Sequence, residues 1–335
     1  MMRKKLISFF VIVCVIASYI TIPASAKKSD DTDTAAAAYA LMSDLGIFDY
    51  GQSYEAVKNQ KVTRGELALF ISKMFRLEYS DTIQPFADAD SDSDTGRAVL
   101  ALFSAGILNG YGDGTLRPGE YATLTELATV SLRALGYNFF DNRTSSEYMR
   151  RADRLGLLDG VNNIGVISVG DCTVVLYNLL HTNYVYYNGS ELQESGTPLE
   201  ATFGLKCVEG VVTDNAYTSL SGEKTAVVGK VGINYVIYDT EAEEVKDMLG
   251  YSVVAYVTLK DEKIKFCYYD DSQNSAIDIN SRRFAKYNGS YVEYYENEKS
   301  IRTSKIKLSP DVAVVKNSTL VETDYKSAFD ISYGN

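Results

Sequence analysis

Arg64 is the side chain whose type and position are most suited to holding an anion. It lies inside Thr63-Arg64-Gly65-Glu66, and Thr-x-x-Glu spacing is that of a helix capping box, so Arg64 falls at the first helical position. A helix start carries outward-pointing amides and the positive end of the peptide dipole. A carboxylate arriving there would meet a guanidinium fork and backbone donors together. Arg117 is a second candidate cation, in the turn that runs from Gly110 to Pro118 ahead of Thr123-Leu124-Thr125-Glu126. The plainer readings are a solvated first-turn side chain for Arg64 and a solvated or ion-paired loop residue for Arg117. Thr63, Glu66, Thr123 and Glu126 read as caps. Gly110, Gly112, Asp113 and Gly114 read as turn geometry, with glycines supplying positive φ and Asp113-Gly114 a tight turn.

Catalytic and metal chemistry find little support. The single histidine, His181, closes a helical stripe, where it suits the helix dipole, and no Gly-x-Ser-x-Gly elbow accompanies it. With 44 acidic residues, carboxylate pairs arise by chance and no glycosidase pair can be argued from spacing. Asp88-x-Asp90-x-Asp92-x-Asp94 suggests a calcium loop, but the sixth and twelfth positions are Ser93 and Val99 counted from Asp88, or Thr95 and Ala101 from Asp90. An EF-hand needs glycine and glutamate there. The run reads as a solvated acidic loop that caps the next helix. The expectation is a binding protein and not an enzyme, with no cofactor and no metal.

The elements that must position the arginines come as a repeat. Leu45-Gly46-Ile47-Phe48, Ala105-Gly106-Ile107-Leu108 and Leu155-Gly156-Leu157-Leu158 each precede a hydroxyl cap: Thr63, Thr123 and Ser168. Behind each cap runs an apolar stripe at helical spacing: Leu67, Phe70, Ile71, Met74; then Leu124, Leu127, Ala128, Leu132, Leu135; then Cys172, Val175, Leu176, Leu179. The segments before the glycines (Ala40 to Ile47, Ala98 to Leu108, Met149 to Leu158) have the same spacing, which gives six amphipathic helices in three pairs. A helix pair of this size cannot bury its apolar face alone, so the copies must pack on one another.

The second unit, from Phe86-Ala87-Asp88 through Gly-Tyr-Gly-Asp-Gly-Thr-Leu-Arg-Pro to Thr-Leu-Thr-Glu, resembles an S-layer homology (SLH) motif. Val-Thr-Arg-Gly-Glu in the first unit is similar to that family's Ile-Thr-Arg-Ala-Glu signature, and Phe140-Asp141 opens the third unit as Phe86-x-Asp88 opens the second. The resemblance covers roughly residues 38–183. It implies a three-lobed module around a central helical bundle, which binds pyruvylated secondary cell-wall polysaccharide, linked to peptidoglycan, in grooves between lobes. It also implies that Arg64 contacts the polymer's acidic sugar. The matching positions in the other copies are Leu124 and Val169, which cannot do so.

Met1-Met2-Arg3-Lys4-Lys5, the apolar stretch Leu6 to Ile20 and the small-x-small site Ala24-Ser25-Ala26 read as a secretory signal cleaved after Ala26. Cleavage removes three basic residues and no acidic ones, so the formal charge moves from −11 to −14. Such a chain is a poor nucleic-acid binder, and any grip on an anionic polymer must be local. No later stretch has the ~20 apolar residues of a bilayer span, so no membrane association is expected after cleavage. Of the remaining cysteines, Cys172 takes a core position, while Cys207 and Cys267 are left open as a pair.

After His181 the texture becomes β, with 16 of the 26 tyrosines. Lys206 to Thr213, Lys224 to Lys230, Ile233 to Tyr238, Ser252 to Leu259 and Lys263 to Tyr269 read as strands, with a short helix over Glu241 to Leu249. That order suggests an OB-like barrel. A further β segment runs from about Arg283 to Leu320. Tyr187-Asn188-Gly189-Ser190 and Tyr287-Asn288-Gly289-Ser290 are the same hairpin-suited tetrapeptide, marking either a repeated β module or coincidence in a tyrosine-rich chain.

The expected organisation is a multidomain α+β chain: signal peptide 1–26, linker 27–37, three SLH-like repeats 38–183, linker 184–202, small OB-like β-barrel 203–272, and a β-rich segment 273–335. The expected role is non-covalent anchoring of an exported protein to the bacterial wall, as an S-layer or surface-associated protein with possible self-association. The alternatives are a wall-attached hydrolase with its catalytic part in or beyond the β region, and a non-binding assembly scaffold.

Overall fold

The computed structural model describes residues 12–13, 31–79, 86–138, 144–221, 226–277, 279, 282–308, 312–316 and 319–321. The expected leader lies outside the described residues except for Ile12–Val13 (β1), which pairs in parallel with Val312–Ala313. Phe140-Asp141 and the stretch from Phe329 to Asn335 also lie outside them. The chain divides into two compact units, residues 31–206 and residues 207–335 with 1–30.

The first unit is helical: α1 (Asp31–Asp44), α2 (Tyr54–Val57), α3 (Arg64–Phe75), α4 (Asp94–Ser104), α5 (Leu124–Ala134), α6 (Ser145–Arg154) and α7 (Val169–Leu180). The longer helices follow one another along the chain as α1 and α3, α4 and α5, α6 and α7, one couple per lobe, with α2 a single extra turn in the first loop; the main helix packing runs between lobes and not within the expected pairs. The second helix of each lobe packs on the first helix of the next, α3 on α4, α5 on α6 and α7 on α1. The stripes read from the sequence supply the core: Leu67, Ile71, Met74, Leu127, Leu132, Cys172, Leu176 and Leu179 are all buried.

A ring of main-chain hydrogen bonds ties the lobes together. Val62 N–H donates to Ile167 O at 3.2 Å, Ile167 N–H to Ala122 O at 3.0 Å, and Ala122 N–H to Val62 O at 2.9 Å. Each of these residues directly precedes the cap of its lobe and has no exposed surface. The cycle links the starts of α3, α5 and α7. Residues 184–202 hold a hairpin, β2 (Tyr184–Tyr187) with β3 (Leu192–Ser195), and then α8 (Pro198–Phe203), which starts at a Thr197/Glu200 capping box. Both are folded onto this unit: Val185 N–H donates to Leu135 O at 2.8 Å, and Arg76 lies 5.5 Å from the Phe203 ring.

The second unit is β-rich. Strands β4 (Leu205–Asp214), β5 (Lys230–Ile233), β6 (Val236–Thr240), β7 (Ser252–Thr258) and β8 (Lys263–Tyr269) form a closed barrel in the order β4-β5-β6-β8-β7. A 3-10 helix, Glu243–Met248, bridges β6 and β7, and β6 runs parallel to β8. This is the OB-like arrangement expected from the element order, around a core of Val212, Val231, Ile233, Val253, Val257 and Ile264. One hairpin differs from expectation. Sequence reading ran one strand over Lys224 to Lys230 and began the next at Ile233, whereas residues 226–229 are not strand, β5 runs from Lys230 to Ile233 and the turn is Asn234-Tyr235, with φ of 48° and 66°. Gly232 is there for close approach: a Cβ would fall 2.6 Å from Asp214 Oδ2. Cys207 and Cys267 are free thiols, so the open pairing is not made. A further sheet joins β9 (Phe284–Tyr287), β10 (Tyr291–Tyr295) and β11 (Thr303–Lys307), and Val315–Lys316 pairs with Thr319–Leu320 after it.

Candidate functional site

Arg64 occupies the first position of α3, after a complete Thr63/Glu66 capping box. Its amide is not available to a ligand. Arg64 N–H donates to Glu120 O at 2.8 Å and Gly65 N–H to Pro118 O at 3.0 Å, while Glu66 N–H is held by the Thr63 hydroxyl at 3.2 Å. The expectation that a carboxylate would meet backbone donors here is therefore corrected. The next lobe's loop has filled the first two and the helix's own cap the third. Gly65 belongs to the same seam, since a Cβ would lie 3.2 Å from Pro118 O.

The side chain is held from three sides. Arg64 Nε donates to Leu116 O at 2.8 Å, Nη1 pairs with Glu126 Oε1, and the guanidinium lies 4.9 Å from the Tyr111 ring centre. Its side chain is only 10% exposed, and Nη2 has no partner among the described residues. Glu126 works twice: Oε2 accepts from Thr123 N–H at 2.9 Å, completing the α5 cap, while Oε1 faces Arg64. The guanidinium is thus paired but not sealed. It lines a cleft of about 240 Å³ with Glu126, Tyr111 and Arg133, between apolar walls of Leu67, Leu108 and Val130.

Arg133 was missed by the sequence reading. It donates from Nη1 to Ile107 O at 3.3 Å and from Nε to the Tyr148 hydroxyl at 3.4 Å. The available signal was its spacing, since Glu126, Val130 and Arg133 follow one another on one face of α5 at i, i+4 and i+7.

Arg117 does not line the cleft. It stands on the Tyr111 ring at 4.1 Å and pairs with Asp113 at 3.1 Å. Its backbone takes φ of 59°, and its N–H donates to Asp88 Oδ2 at 2.7 Å while Leu116 N–H donates to Asp88 Oδ1 at 2.9 Å. Its bond to Asp113 raises the Arg117 pKa above its usual value. For Asp88, burial pushes the carboxyl upward, but the backbone bonds from Leu116 and Arg117 outweigh it and hold it below the carboxylate norm. Arg117 is ion-paired within its own loop and braces the turn that carries Tyr111.

The turn glycines have separate reasons. Gly114 has φ of 75°, as expected of a tight turn. Gly110 has no positive φ; a Cβ there would lie 1.9 Å from the Phe86 ring. Gly112 faces open space with no such φ. Asp113 accepts from Thr115 N–H at 3.1 Å, closing the turn.

The other two lobe junctions differ. Leu124 and Val169, at the positions of Arg64, are buried. At the second junction Asn163 Nδ2 bonds Asp171 Oδ2 at 3.0 Å, where Arg64 meets Glu126 at the first. At the third, Tyr50 packs 5.9 Å from Phe48 and 6.2 Å from Phe70, the counterparts of the cleft walls Leu108 and Val130. Among the described residues no cluster of acids, histidines and cysteines could hold a metal ion.

Residues 85–128, which span the turn, the α5 cap and Glu126, match the S-layer homology domain. The chain carries an SLH domain. It is also similar to a "Cell surface protein" from Thermoanaerobacter kivui, 25% identical over 333 residues, covering 90% of this chain and 42% of that protein. The chain therefore spans less than half the length of that relative. SLH domains bind cell-wall polymers generally. Among the described residues no helix is long and apolar enough to cross a membrane.

Proposed function

We propose that the three-lobed unit tethers an exported bacterial protein to the cell wall by holding an acidic group of a secondary wall polysaccharide in the Arg64 cleft. The observation that carries this reading is a nine-tenths-buried guanidinium that still opens onto a 240 Å³ cleft. Two guanidiniums and one carboxylate line it, a local excess of one positive charge in a chain of formal charge −11. One monoanion balances that excess without leaving a buried charge unpaired. The ligand carboxylate takes the free Nη2 edge of Arg64, with Arg133 across the cleft. Leu67, Leu108 and Val130 offer contact to an apolar substituent such as the methyl of a pyruvyl ketal. The other junctions lack the cation, so the unit binds once. It acts by binding and not by catalysis, without cofactor, nucleic acid or membrane.

The test is co-sedimentation with cell-wall sacculi bearing native or depyruvylated polymer, comparing wild type with Arg64→Ala. Binding lost on removal of either the pyruvyl group or the guanidinium supports the assignment. Equal retention in all four combinations refutes it.

A further inference from the structure

The two Tyr-Asn-Gly-Ser tips have no part in the cleft, yet they share one geometry. Asn188 N–H donates to Glu191 O at 3.1 Å, and Asn288 N–H to Tyr291 O at 3.2 Å. In both, the asparagine side-chain carbonyl turns back over the tip. Asn188 Oδ1 accepts from Ser190 N–H at 3.1 Å, Glu191 N–H at 2.9 Å and the Ser190 hydroxyl at 3.1 Å. Asn288 Oδ1 accepts from Ser290 N–H at 3.1 Å and Tyr291 N–H at 3.0 Å. Gly189 and Gly289 follow with φ of 98° and 90°, and neither has an atom within 4 Å of where a Cβ would stand. Asn, Gly and Ser are exposed at both tips.

We propose that Asn188 and Asn288 are sites of spontaneous deamidation, Asn188 the faster. The Gly189 nitrogen attacks the Asn188 Cγ, forming a C–N bond and moving charge onto Oδ1. Donors already aimed at that oxygen stabilise the oxyanion, as in an oxyanion hole. The side-chain nitrogen takes up a proton and leaves as ammonia, and the Gly189 amide proton passes to solvent. Water then opens the succinimide to aspartate or isoaspartate. No oxidant, cofactor or enzyme is needed. Glycine leaves the attacking nitrogen sterically open, and the exposed tip lets ammonia and water exchange. The third donor, the Ser190 hydroxyl, ranks Asn188 above Asn288. Product formation puts a new negative charge on each tip, and isoaspartate adds a backbone atom that disturbs the hairpin register.

The test is incubation of the folded full-length chain in ¹⁸O-water at mildly alkaline pH, followed by peptide mapping at both tips beside synthetic peptides of the same sequence. The expected result is ¹⁸O incorporation at 188 ahead of 288, with Asn188 faster in the folded chain than in its peptide. S190A slows position 188 by about fivefold, the kinetic value of one neutral hydrogen bond, and leaves 288 unchanged. G189A suppresses position 188 in both chain and peptide. No incorporation at either tip, or a folded chain slower than the peptide at Asn188, overturns the proposal. So does an S190A chain that reacts as fast as wild type.

Discussion

The junction at Arg64 and the junction at Leu124 are built on one backbone plan and end in opposite chemistry. In both, an N-cap hydroxyl and an acid three residues on close the helix start, and the first helical amide is given to the next lobe's loop. At the first junction a guanidinium stands beside an acid with capacity to spare, and a cleft remains. At the second, a leucine is buried and an asparagine ties up the matching acid. The difference teaches that the repeat supplies scaffold geometry, and that the side chain at the first helical position sets whether a junction carries a cation beside an open cleft or an apolar contact.

The most severe way to break the comparison is to attack what the junctions share. Ala122→Pro removes a donor from the main-chain ring and strands the buried Val62 carbonyl, worth roughly 1–3 kcal/mol plus whatever strain the ring imposes. Ile167→Pro should be equally damaging. Thermal unfolding followed by circular dichroism checks this, and unequal losses would mean that the lobes are not equivalent. Next in size is Arg64→Ala, expected to weaken polymer binding by about tenfold to a hundredfold, the range for one charge-assisted hydrogen bond of roughly 1.5–3 kcal/mol. Leu124→Ala should leave binding unchanged in the same titration.

Two glutamates that look alike in sequence separate the cap from the cation. Glu126→Gln keeps an oxygen for the Thr123 cap but releases Arg64, so binding of an anionic oligosaccharide should tighten by about fivefold. Glu66→Gln, where no arginine is paired, should change affinity little. Calorimetric titration of both variants distinguishes a competing carboxylate from a positioning one, and weaker binding in Glu126→Gln would assign it the second role.

Acid should loosen the second lobe through Asp88. Its folded pKa is depressed, so its stabilisation is present above the unfolded value near 3.8 and is lost as pH falls through the folded value. Protection of the Leu116 and Arg117 amides, relative to their intrinsic exchange, should fall below about pH 4 in wild type, whereas Asp88→Asn should show low protection at every pH. The smallest effect concerns the thiols. Burial pushes Cys207 up to about 11 and Cys267 up to about 12 and raises Cys172 as well. None should react with a thiol reagent at pH 8 before unfolding, and rapid native labelling of any one would show its environment to be more open.

Local signals carried much of this to the reader of the sequence. Capping-box spacing is a contact over three residues and helical stripes repeat every three or four, so three helix pairs and the position of Arg64 were legible. Four of the five barrel strands were legible because β-branched runs are short and bounded, while the second was placed too early in the chain. The cleft was not, because its pieces come from far apart: Arg64 and Glu126 are 62 positions distant, and Arg133 looks like any last-turn arginine. Tyr111 passed for a turn residue, though it lies between two guanidiniums. The β5–β6 hairpin misled for a local reason: Gly232 resembles a turn glycine, while Tyr235 takes a left-handed φ seldom seen outside glycine and asparagine.

The closed exchange of amides among Val62, Ala122 and Ile167 sets how this architecture can change over time. Deleting one lobe would leave an unmatched donor and acceptor at the axis, so the loss of one copy costs the other two a main-chain bond. Each copy is free to differ in its surface chemistry once that central contract is kept, and the three first helical residues, Arg64, Leu124 and Val169, do differ.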